Sequence, residues 1–171
     1  VSKVLDDVYV ATDDTRIYDE VVSFGGKAIM TGSYHKSGTD RIEEAYRKIG
    51  KEFDVVINVQ GDEPFIHPSQ IVSIMECFAS DDTQIATLGK RFESMESVEN
   101  ANSPKIVTDN KGYAMYFSRS VIPYVRSKER NEWINAFPFL KHIGMYAYRS
   151  GVLKEITKIE QSPLEIAESL E

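Results

Sequence analysis

Gln60, Gly61 and Asp62 carry the clearest chemical signal in this chain. They follow Val55-Val56-Ile57-Asn58-Val59, a largely β-branched apolar run that suits a buried strand. Gly61 breaks the run, Asp62 delivers a carboxylate, and Pro64 stops the strand from continuing. In an open α/β sheet, ligands bind just outside the carboxyl ends of the strands. A carboxylate there is a hard oxygen ligand at a place where a substrate phosphate and Mg²⁺ could meet.

A second constellation runs from Met30-Thr31-Gly32-Ser33 through His35-Lys36-Ser37-Gly38-Thr39-Asp40-Arg41. It leads from a strand into a helix. Small hydroxyl residues and Gly at a helix N-terminus expose backbone N–H groups to an anion or a base edge. Thr39 serves equally well as a simple helix N-cap, so both readings stand. A third constellation joins Tyr116-Phe117-Ser118-Arg119 to His142-Ile143-Gly144-Met145-Tyr146. His142, Gly144, Tyr146 and Tyr148 alternate on one strand face, which is either solvated or a ligand wall. Periodicity by itself favours the solvated face. Arg119 could grip a carboxylate bidentately or form a surface ion pair.

The elements that must position these residues alternate in the first half. Strands are expected at 8–11, 28–30, 54–59 and 84–88, and helices at 15–24, 39–49 and from Pro68. That order predicts a mostly parallel sheet covered by helices. The second half reads as strands at 106–108, 113–117 and 142–148, with a hairpin turn at Asp109-Asn110-Lys111-Gly112. Residues 124–138 read as a long loop, and Ser162-Pro163 as the start of a helix in which the chain ends.

Composition narrows the class. The 171 residues, 42% hydrophobic, suit one domain with a real core. No apolar run approaches the length of a membrane span. No signal-peptide pattern is visible, and the single cysteine, Cys77, reads as a buried packing residue. These features point to the cytoplasm. A net charge of −7 argues against a nucleic-acid binder but permits an anionic small substrate at a locally positive or metal-bearing site. The three histidines show no zinc spacing, His67 reads as a turn residue, and neither a Walker loop, a GxGxxG nor a Gly-x-Ser-x-Gly elbow is present.

Five motifs occur in order: His-Lys-Ser-Gly-Thr-Asp-Arg (35–41), Asn-Val-Gln-Gly-Asp-Glu-Pro (58–64), Tyr-Phe-Ser-Arg (116–119) with Ile122-Pro123, Lys-His-Ile-Gly-Met-Tyr-Ala-Tyr-Arg (141–149) and Ser-Pro-Leu-Glu (162–165). Together they resemble the 3-deoxy-manno-octulosonate cytidylyltransferase family, the CMP-Kdo synthetases, from about Val8 to the last residue. The resemblance implies a three-layer α/β fold of the nucleotide-diphosphosugar-transferase type, mostly parallel with a smaller antiparallel region. It implies a Mg²⁺-dependent reaction of CTP with Kdo that gives CMP-Kdo and pyrophosphate for lipopolysaccharide assembly in Gram-negative bacteria. A homodimer is implied as well. Sialic acid as the sugar, or nucleotide-sugar binding without catalysis, are the alternatives.

By the same resemblance, Asp62 matches a metal ligand, Gln60 a sugar contact, and Gly61 a close approach of the ribose. Arg119, His142 and Tyr146 match residues that hold the sugar acid, and Glu171 a further sugar contact. Met30, Thr31, Ser37 and Arg41 match the surroundings of the cytosine and ribose. Family members begin with a basic Ala-Arg-x-x-Ser-x-Arg loop and continue into a Gly-x-Asp-Thr-Pro-Glu-Asp segment, and neither occurs here. These 171 residues alone are therefore expected to show little activity.

Overall fold

The computed structural model describes residues 4–63 and 65–170. In chain order the elements are β1 (Val10–Thr12), α1 (Thr15–Ser23), β2 (Ala28–Met30), α2 (Gly38–Ile49), β3 (Val55–Asn58), α3 (Pro68–Glu76), β4 (Ile85–Arg91), α4 (Met95–Glu99), β5 (Lys105–Thr108), β6 (Ala114–Ser118), α5 (Trp133–Ala136), β7 (Leu140–Arg149), α6 (Ser150–Ile156) and α7 (Pro163–Glu168). They fall into two units. One takes in the residues up to Ala86 and Met145–Glu160, the other Thr87–Gly144 and Gln161–Leu170.

In the first unit, α2 shows how local sequence sets an element. Ser37 caps its start by accepting the Asp40 N–H, an interaction worth about 1 kcal/mol. Gly50 ends it in the left-handed conformation at φ 66°. Ile42, Ala45 and Tyr46 recur at helical spacing and face inward, and Tyr46 packs with Tyr148 and Leu153 in this unit's core. Helix α3 begins with His67 as N-cap and Pro68 in the first turn, and buries Ile74. Strands β1 and β2 pair in parallel, and β3 runs antiparallel to the second half of β7 with Asn58 opposite Tyr146. A cavity of about 700 Å³ is lined by β1, β3 and the start of α2.

In the second unit, β5 pairs antiparallel with β6 and with the start of β7. Asp109 closes the hairpin by accepting the Lys111 and Tyr113 N–H groups, and Gly112 takes φ 88°. Phe92, Val98, Trp133 and Phe139 form the core.

Several expectations are corrected. Helices and strands alternate as predicted and the class is α/β, but β3 pairs with β7 and not with the next strand in sequence, so the β3·β7, β5·β7 and β5·β6 pairings are all antiparallel. At ten residues, β7 is long enough to pair with β5 through its start and with β3 through its second half, which local alternation does not report. The segment 124–138 is not an unstructured loop. It contains α5, and Trp133 is 3% exposed and donates Nε1–H to Lys128 O. Cys77 is exposed at the C-cap of α3, although Ile74 before it and Phe78 after it are buried. The helix at 163 ends at Glu168, with Ser169 in the left-handed conformation. Short helices α4 and α6 were not foreseen.

Candidate active site

The β3 terminus and the β2–α2 connection hold the predicted residues of the first unit. Asn58 ends β3, and the Gln60–Glu63 turn is closed by a bond from Glu63 N–H to Gln60 O (3.1 Å). Asp62 is exposed on that turn, and a side chain at Gly61 would meet nothing within 4 Å. The turn is therefore open to a ligand. Gly38, the first residue of α2, comes so close to this strand end that a Cβ on it would lie 3.2 Å from Gln60 Nε2.

The β2–α2 connection is tied down at both ends. Lys48 Nζ donates to Met30 O (2.7 Å) and Arg41 NH1 donates to Thr31 Oγ1 (2.8 Å). Arg41 also lies 3.3 Å from Asp13. Ser37 rather than Thr39 is the N-cap, and Thr39 Oγ1 instead meets Tyr148 OH at 3.2 Å. The sequence does not single out Glu44, yet it organises this segment. One oxygen receives the Gly32 N–H (3.0 Å) and pairs with His35 Nε2, and the other lies 2.6 Å from Lys48 Nζ. Lys48, then the Gly32 N–H and His35, hold the Glu44 carboxyl at about 2, below its ordinary 4.5.

A depressed carboxylate contributes stability that is complete above the ordinary pKa and is lost as pH falls through the folded one. Glu44→Gln is thus expected to lower the urea midpoint at pH 6, and the gap should close near pH 2. An equal gap at both pH values would show that the Glu44 charge does not hold this loop.

Tyr146 lies opposite Asn58 and is half-buried, with its ring centroid 6.1 Å from that of Tyr148. No residue of β7 is exposed, so the expectation of a solvated face is corrected. The strand is covered on both sides, because Met145, Ala147 and Tyr148 are all buried.

In the second unit, His142 meets Thr87 Oγ1 at 3.0 Å, and that hydroxyl also donates to Ile143 O (3.1 Å). A hydroxyl has one proton to give, so His142 Nε2–H is the donor of the pair. Burial pushes the imidazole down to about 4, so it is neutral at pH 7. Arg119 directs Nε to Glu168 O (2.5 Å), NH1 to Ala101 O (3.1 Å) and NH2 to Ser169 O (3.0 Å). Three of the guanidinium's five N–H donors thus hold backbone carbonyls, two of them at the end of α7.

The carboxylate of Glu168 in turn receives Ser118 Oγ (2.6 Å), Arg119 N–H (2.9 Å) and Tyr116 OH (3.2 Å). These bonds, the Ser118 hydroxyl foremost, keep its pKa below the ordinary value. Lys105 is fully buried and donates to Arg119 O (2.5 Å) and Asn100 O (3.1 Å). Nothing in the local pattern around Lys105 or Glu168 announces these roles. Glu171 lies outside the described residues.

Among the described residues, no cluster of three or more His, Cys, Asp or Glu is assembled to hold a metal. Asp62 offers a single carboxylate. That donor set suits a cation bound largely through substrate phosphates and water, which is how Mg²⁺ commonly binds.

Comparison with known proteins places this arrangement. The cytidylyltransferase family model matches residues 1–171. The chain is 58% identical to the 3-deoxy-manno-octulosonate cytidylyltransferase of Parabacteroides distasonis, over 100% of the chain and 70% of that protein. It is 55% identical to the enzyme of the same name from Phocaeicola vulgatus, over 100% of the chain and 69% of that protein. A solved CMP:2-keto-3-deoxy-manno-octonic acid synthetase complexed with CTP superimposes with a TM-score of 0.87 at 41% identity, over 97% of this chain and 66% of that one. The chain thus spans about two thirds of the length of the proteins it matches. With whole-chain identity to such relatives and the Gln60–Asp62 turn set beside the start of α2, this chain belongs to the cytidylyltransferase family.

Proposed function

We propose that this protein transfers the cytidylyl group of CTP to 3-deoxy-manno-octulosonate, giving CMP-Kdo and pyrophosphate. The observation that carries the reading is whole-chain identity of 58% and 55% to two enzymes of that name. The open Gln60–Asp62 turn beside the α2 N-terminus supplies a place for the nucleotide. In the proposed reaction the anomeric hydroxyl of the sugar attacks the α-phosphorus of CTP. A new O–P bond forms, the bond to the β-phosphate breaks, and the electron pair leaves with pyrophosphate.

The protein's work in this scheme is positioning and charge neutralisation, with no covalent intermediate. Ser37, Thr31, Met30 and Arg41 would surround the cytidine, with Gln60 and Gly61 beside it. Asp62 with phosphate oxygens would hold Mg²⁺, which when bound supplies positive charge against the triphosphate. His142, neutral at pH 7, would contact the sugar acid through hydrogen bonds and not as a counter-charge. Arg119 has two N–H donors without a partner among the described residues, which would serve the sugar carboxylate, and Tyr146 would contact the sugar. We place the reaction in the cytoplasm, in lipopolysaccharide biosynthesis, and expect a homodimer. No helix among the described residues is long and apolar enough to cross a membrane.

The test is pyrophosphate release by the full-length protein with Mg²⁺ and CTP, comparing Kdo with sialic acid. Release with Kdo alone is expected. Release with sialic acid alone would reassign the sugar. Release with neither, while CTP still raises the melting temperature, would overturn the assignment of catalysis.

A further inference from the structure

Among the described residues, Asn58 is the one side chain near the proposed nucleotide site with a buried polar atom that has no hydrogen-bond partner. It ends β3, its residue is 4% exposed, and its Nδ2 is a buried donor with no acceptor among the described residues. Buried amide donors are almost always paired, so an orphan calls for an explanation. Its surroundings supply one. Gly38 opens a twelve-residue helix, and a Cβ on it would lie 3.4 Å from Asn58 Nδ2 and within 3.3 Å of both amide atoms of Gln60. The helix N-terminus and two side-chain amides therefore converge on one spot. Asn58, Gln60, Gly38 and Gly61 also line the same cavity.

We infer that Asn58 Nδ2 donates a hydrogen bond to a neutral acceptor of the cytidine half of CTP, either an acceptor of the base or the ribose 2′-hydroxyl. This inference rests on the cytidylyltransferase reading. The chemistry favours the nucleoside over the phosphates, because the converging side chains are uncharged amides. The nearby cation, Arg41, is occupied by Thr31 Oγ1 and Asp13. A donor left unpaired in the empty protein makes its bond only when ligand is bound, so it contributes to affinity without contributing to the stability of the ligand-free fold. A donor that serves the fold does the reverse.

The experiment uses that contrast. CTP affinity by calorimetry and the melting temperature without ligand are measured for the full-length protein and for Asn58→Leu. The expected result is CTP affinity about tenfold weaker, with the ligand-free melting temperature unchanged or raised. Asn58→Asp provides the second variant, because it keeps the shape and replaces the donor by an acceptor. It should lose CTP affinity at least as far. The same titrations with 2′-deoxy-CTP separate the two acceptors. A deoxy penalty that survives in Asn58→Leu assigns the bond to the base, and one that vanishes assigns it to the ribose.

Unchanged CTP affinity with a lowered melting temperature would overturn the inference, by making Asn58 a structural residue. In that case the unaltered protein still binds CTP and the cytidylyltransferase reading survives. No CTP binding by the unaltered protein would overturn both.

Discussion

Asp62→Asn is expected to lower pyrophosphate release by at least about 100-fold while the far-ultraviolet circular dichroism spectrum stays unchanged. The two halves of that result have separate causes. Asp62 sits exposed on the turn after β3, so its charge is not used to hold the core. Asn has nearly the same shape and is at home in turns, so the backbone has no reason to move. What is lost is one negative charge at the place proposed for a cation and the triphosphate. The cation loses the carboxylate proposed to ligate it, and added Mg²⁺ should restore little. A variant that keeps more than about a tenth of the activity would remove Asp62 from the phosphate end of the site. Loss of the circular dichroism signal would make it a structural residue.

Lys105→Met is expected to cost roughly 3 kcal/mol of unfolding free energy, read from urea denaturation. Met matches the length of the aliphatic stem, so little packing is lost. Removing a buried ammonium even relieves a desolvation penalty, and that burial already pushes the Lys105 pKa down from its ordinary value. The opposing effect wins because both acceptors are backbone carbonyls, Asn100 O and Arg119 O, which no compensating side chain replaces. Asn100 O keeps the Ser103 N–H (3.0 Å), so the cost is the loss of two charge-assisted bonds, each worth about 1.5–3 kcal/mol, with Arg119 O left without its donor, and this exceeds the relief in desolvation. The Arg119 carbonyl belongs to the residue that also holds the end of α7, so the hairpin and that helix should loosen together. A loss under about 1 kcal/mol would show that water reaches these carbonyls once the ammonium is gone.

Much of this molecule was legible in the sequence because the determinants were local. The stripe of Ile42, Ala45 and Tyr46 repeats within one helix, and Asp109 with Gly112 closes its own hairpin. The β-branched run at Val55–Ile57 followed by Gln60-Gly61-Asp62 marked the end of β3 and the turn after it, because a strand's end is set by its own residues. Five ordered motifs were enough to point to the family. The partners of the polar groups were not legible. Glu44 reads as one of many helix carboxylates until the fold brings Gly32 and His35 to it. Arg119 reads as a free fork until α7 places two carbonyls on it.

Local periodicity reports which face of an element is buried, but not what lies against that face. The pairing of β3 with β7 was therefore decided only in three dimensions, and with it the antiparallel register that sets Asn58 opposite Tyr146. The same holds for burial at a single position. Lys105 and Cys77 carry side chains whose average habits are to be exposed and buried respectively, and here each does the opposite. For Lys105 the reason is a pair of carbonyls contributed by separate segments, whereas Cys77 sits just past the end of α3, at its C-cap. Sequence by itself thus determined the longer elements, the family and the position of the Gly61-Asp62 turn. Tertiary structure decided which charges remain available for a ligand, because that depends on acceptors brought from distant parts of the chain.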